Sequence, residues 1–93
     1  MKAIVVSHAL TPQYGGPAVS EASLCAQLQK HCRTQVFCRK GALDADFVRG
    51  FGLTDVKEVH PRDVLRAWRD PSHWISRALD EADVLHVNGH WRW

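Results

Sequence analysis

Gly15 and Gly16 stand in the run Tyr14-Gly15-Gly16-Pro17, after the apolar segment Lys2-Ala3-Ile4-Val5-Val6-Ser7 and before a segment of helical periodicity. Strand, glycine pair and helix N-terminus in that order form an anion site. Glycine lets the backbone approach a ligand, and the helix end presents unpaired N–H groups and a partial positive charge. The chemistry expected is binding of a phosphorylated small molecule, although a tight turn explains the same two residues equally well. His8 follows the first apolar run, and Asn88-Gly89-His90-Trp91 follows or closes the last one. His8 also fits a residue that merely ends a strand, whereas His90, in a loop beside Gly89, points to ligand contact. His86, inside the last apolar run, reads as a core histidine.

None of these residues suggests a metal. His86 and His90 fall on a strand and a loop rather than on one helix face. Cys25, Cys32 and Cys38 are odd in number and lie too far apart for a paired zinc-ligand pattern. Buried free thiols in a reducing compartment fit better, so the expected location is cytoplasmic. The 93 residues suffice for one small domain, and 45% apolar with 24% charged residues is ordinary for a globular chain. A net charge of +2, with no basic cluster interleaved with aromatics, argues against nucleic acid. The start reads as a strand rather than a signal peptide, and no segment is long and apolar enough to span a bilayer.

The elements that must position these residues alternate. Ala3 to Val6 is a continuous apolar run, the pattern of a strand buried on both faces of a parallel sheet. Helical spacing follows from Pro17 to about Lys30, with Ala18, Ala22, Leu24, Cys25 and Leu28 on one face, Gly16 as N-cap, and basic His31 and Arg33 closing the end. Thr34 to Cys38 reads as a second strand. Arg39 to Asp55 reads as loop with one helical turn around Phe47, and Asp55 to Val59 as a third strand. Two helices follow, Arg62 to Trp68 and a second capped by Ser72, on which Trp74, Ile75, Ala78, Leu79 and Ala82 repeat at helical spacing. Trp68, Trp74 and Phe37 read as core. Val84 to Asn88 is the last strand, expected to be central in its sheet, and Trp91 and Trp93 behind it suggest a surface that something else covers.

This order predicts an α/β fold with a Rossmann-like, doubly wound, mostly parallel sheet. About six strands are usual in that class, and four are legible, so the domain is expected to be incomplete. Ligands of such sheets bind outside the carboxyl ends of the strands. Ser7, His8, the glycine pair and Asn88 to His90 should therefore converge on one edge. A dinucleotide fingerprint (G-x-G-x-x-G) and a P-loop (G-x-x-x-x-G-K-[ST]) are both absent. A phosphoacceptor receiver domain is also excluded, because Ser7-His8 replace the acidic residues that would hold magnesium there.

Two stretches resemble the N-terminal domain of family-four glycosyltransferases of the GT-B fold. One is Lys2 to His8 continued by Thr11-Pro12-Gln13-Tyr14-Gly15-Gly16-Pro17-Ala18-Val19-Ser20; the other is Ala82-Asp83-Val84-Leu85-His86-Val87-Asn88-Gly89-His90-Trp91, against D-V-x-H-x-H-G-x-W. The resemblance implies transfer of a sugar from a nucleotide-sugar to a glycan or lipid-linked acceptor, with no metal and no further cofactor. It places Gly15 and Gly16 near the donor diphosphate, and His8, Asn88, Gly89, His90 and Trp91 at the acceptor or sugar. Asn88 replaces the second histidine of the family's H-x-H. The family's second, donor-binding domain has no counterpart here, so the 93 residues alone are expected to be inactive. The complete enzyme could associate peripherally with a membrane. The alternative is a small non-catalytic α/β module that binds a ligand or a partner, including a second copy through its C-terminal end; a folding fragment without function also remains open.

Overall fold

Apolar residues of the strands alternate between two faces of one sheet, and that alternation sorts the helices. The computed structural model describes residues 1–88. In chain order these form β1 (Lys2–Ser7), a 3-10 turn (Pro12–Tyr14), α1 (Gly16–Leu28), β2 (Arg33–Arg39), α2 (Ala45–Gly50), β3 (Val56–Val59), α3 (Pro61–Arg69), α4 (Trp74–Asp80) and β4 (Val84–Asn88). The four strands are parallel throughout and ordered β3-β2-β1-β4. The fold is α/β of the Rossmann-like class, as the alternation of patterns predicts.

On one face Val5, Val36 and Cys38 pack with Ala22 and Cys25 of α1 and Val48 of α2; on the other Ile4, Phe37 and Val59 pack with Ala67 of α3 and Ile75 of α4. The chain steps outward from β1 to β3 under α1 and α2, then returns past β1 to β4 under α3 and α4. Crossovers of one hand require that change of face. Ile4, Val5 and Leu10 are fully buried, and each such side chain contributes about 1.5–3 kcal/mol of transfer free energy.

Several boundaries differ from the expected ones. Gly15, not Gly16, is the N-cap of α1, which puts Pro17 at the second helical position. The helix stops at Leu28 because β2 starts pairing at Arg33, opposite Lys2, so His31 and Arg33 lie beyond its last turn. Its inward stripe is Ala18, Glu21, Ala22 and Cys25, the i, i+3, i+4, i+7 set, and Leu24 falls outside it, exposed. His73, rather than Ser72, caps α4: its Nδ1 accepts the Ile75 N–H at 3.2 Å, while the Ser72 hydroxyl donates to Asp70 at 2.7 Å. Phe37 is core, but Trp74 stands edge-on to it and half-exposed, with Lys57 Nζ over its ring. Leu79 is also exposed.

The order β3-β2-β1-β4 is that of the first four strands of a doubly wound sheet, in which β4 lies beside β1; among the described residues no strand pairs with its other side. Leu85 and Val87 are 53% and 56% exposed. The side chains of Pro61, Val64, Trp68 and Asn88, and all of Gly89 to Trp93, lie outside the described residues. Among the described residues no helix is long and apolar enough to cross a membrane.

Candidate functional site at the carboxyl edge of the sheet

β1 and β4 lie side by side with Ser7 opposite Asn88. Because the chain leaves β1 toward β2 and comes back on the other side of it, the carboxyl ends of β1 and β4 flank the topological switch point. Parallel sheets bind ligands at such points. Ser7 is buried, and its hydroxyl donates to the Ala9 carbonyl at 3.4 Å, tying down the first turn of the loop. His8 follows, its ring 5.3 Å from that of Tyr14.

The 3-10 turn brings the chain round to α1: the Tyr14 N–H donates to Thr11 and the Gly15 N–H to Pro12, at 3.1 and 3.0 Å. Gly15 then adopts φ +73°, ψ −142°, a conformation close to a region occupied almost solely by glycine. Its carbonyl accepts from the Ala18 and Val19 N–H groups at 3.2 and 3.3 Å. Pro17 has no N–H to give. Among the described residues, the Gly16 N–H is therefore the amide of this first turn left without a backbone partner. An anion arriving here meets that N–H and the positive end of the helix dipole rather than a nest of several amides. A Cβ built on either glycine would meet nothing within 4 Å, so the site is open to solvent.

His86 is not the core histidine its apolar strand suggests. Its side chain is 46% exposed, and Nε2 lies 3.8 Å from Oε2 of Glu21 on α1, whose own side chain is only 4% exposed. His86 pairs with Val5 in the sheet, two residues below the Ser7–Asn88 pair on the same face. Sequence reasoning missed Glu21. The available signal was an acidic residue at i+3 from Ala18, on the inward stripe, where acids are almost never buried without partners. One turn further, Cys25 has its thiol pushed up to about 12, by burial first and by the Glu21 carboxylate second. Burial raises Cys38 to about 11.

The fold thus brings Ser7, His8, Gly15, Gly16 and Asn88 to one edge. Gly89, His90 and Trp91 lie outside the described residues. Among those described, no three His, Cys, Asp or Glu side chains are grouped to hold a metal ion. The arrangement can receive an anionic group at the start of α1, with a histidine beside the adjoining loop. Compared with known proteins, the chain matches no family model, no curated protein and no solved structure.

Proposed function

We propose that this chain is the acceptor-side domain of a GT-B glycosyltransferase that uses a nucleotide-sugar. The observation that carries the reading is the Ser7–Asn88 register pair at the switch point, with the N-terminus of α1 opening on the same edge. In this reading the Gly16 N–H and the helix dipole stabilise the departing diphosphate as its negative charge grows. His8 and the Asn88–Trp91 segment contact acceptor or sugar, and a second α/β domain supplies the rest of the nucleotide site. No metal ion is called on.

The test is a titration of the labelled chain with UDP- and GDP-sugars, followed by amide NMR. A saturable shift of the Gly16 and His8 amides at millimolar ligand supports the proposal. Unmoved amides in a folded chain would overturn it. A partner-binding module is the second reading, favoured by the exposed apolar Leu85 and Val87 on the open edge of β4; it predicts association without any response to nucleotide-sugar.

A further inference from the structure

A separate cavity of about 580 Å³ opens between the loops that follow β1 and β2, within the size range of small-molecule sites. Its walls are tied together by backbone. The Leu10 N–H donates to the Ala42 carbonyl at 2.8 Å, and the Asp44 N–H donates to the Leu10 carbonyl at 2.9 Å. The Ala42 N–H closes a turn onto Arg39 at 3.1 Å, with Gly41 at φ +85° inside it. Thr11 and Gln13 also line it, the Thr11 hydroxyl bonding to the Gln13 side chain. The site is therefore built before any ligand arrives.

Its charge is unbalanced. Arg39, at the carboxyl end of β2, lines the cavity, and among the described residues its side chain has no ion pair or hydrogen bond. Its Nε is buried and, among the described residues, has no hydrogen-bond partner, an unfavourable state for a donor. Asp44, also in the wall, is already committed: Oδ1 accepts the Phe47 N–H at 3.0 Å and caps α2. Its negative charge is offset by that helix end, while among the described residues no carboxylate forms an ion pair with Arg39.

We infer that this cavity is a second ligand site, for a small hydroxylated molecule whose phosphate or carboxylate is held by Arg39. Asp44 retains a carboxylate oxygen to accept from a ligand hydroxyl, and Gln13 and Thr11 face the same space. Neither glycine of the α1 N-terminus lines it; Tyr14 belongs to both places, lining the cavity and packing against His8. The inference is independent of the transferase reading.

The experiment is an NMR titration of the full chain with sodium phosphate, sodium acetate and glycerol 3-phosphate, each against sodium chloride at equal ionic strength. The expected result is a saturable shift of the Arg39 Nε–H and of the Thr11, Gly41 and Leu43 amides, by phosphate, acetate or both, which identifies the oxyanion. Glycerol 3-phosphate should bind more tightly than inorganic phosphate, through its hydroxyls. Arg39→Gln should weaken binding roughly tenfold, and Arg39→Lys less, because a charged hydrogen-bond pair is at stake. The same shifts in chloride, undiminished binding by Arg39→Gln, or no shift in the wild-type chain would each overturn the inference. Shifts confined to Gly16 would overturn it too, yet leave the transferase reading standing. The wild-type titration decides even if a variant fails to fold.

Discussion

Nε2 of His86 stands 3.8 Å from Oε2 of Glu21, so edge strand β4 and helix α1 meet through a polar pair where apolar packing would be ordinary. The carboxylate is almost wholly buried and the imidazole half-exposed, which places the pair between the surface and buried regimes. Removing one partner leaves a buried carboxylate less well compensated. His86→Ala should therefore cost about 1 kcal/mol, the upper part of the range for a partly screened pair. Replacing Glu21 by methionine, similar in volume, should be close to neutral. In that background His86→Ala should cost almost nothing. Urea unfolding of the four proteins in this cycle checks it; strictly additive costs would mean the pair carries no coupling.

The two glycines separate by conformation. Gly15→Ala must place a side chain at φ +73°, ψ −142°, which costs about 1–3 kcal/mol. Gly16 lies inside α1 with open space around a built Cβ, so Gly16→Ala should be neutral or stabilising by up to about 1 kcal/mol. Thermal unfolding of the two single variants is the measurement. Equal losses would show that the Gly15 backbone is not what the turn requires.

How far the sequence could be read follows from what each feature depends on. β1 and β4 were legible because Ala3–Val6 and Val84–Val87 are nearly continuous apolar runs, and the convergence of Ser7, His8 and Asn88 follows from laying those strands parallel. The N-cap was misplaced by one residue because Gly15 and Gly16 differ only in backbone conformation. His73 caps α4 through a ring nitrogen, and Ser72, a better cap by type, is drawn instead to Asp70. The partner of Glu21 and the Arg39 cavity were not legible for a common reason. A buried acid facing His86, and loops joined through Leu10, Ala42 and Asp44, arise from contacts between segments distant in the chain.

The open edge of β4 exposes Leu85 and Val87 on one face, the condition under which strands pair with another chain. Leu85→Lys with Val87→Lys should leave unfolding free energy within about 0.5 kcal/mol, as for exposed sites in general. The double variant should lower association measured by sedimentation at high concentration. Unchanged association would place any self-contact elsewhere.

The two buried thiols should make the folded chain lose stability in alkali. Each is held above the ordinary 9.0 in the folded chain, Cys25 at about 12 and Cys38 at about 11. Above pH 9 the unfolded chain releases these protons while the folded chain keeps them. Their contribution is thus complete below pH 9 and is lost as pH rises toward the folded values. Where both thiols differ fully between the states, each should lower stability by about 1.4 kcal/mol per pH unit. Unfolding in urea at pH 8, 9.5 and 10.5 gives the slope, and Cys25→Ala with Cys38→Ala supplies the control. The double variant starts from a lower stability but should lose it more gently with pH. Identical slopes would show that the thiols ionise as readily folded as unfolded, contrary to their burial. At pH 8, partly covered Cys32 should be the first to react with a thiol reagent, with the other two following only in denaturant.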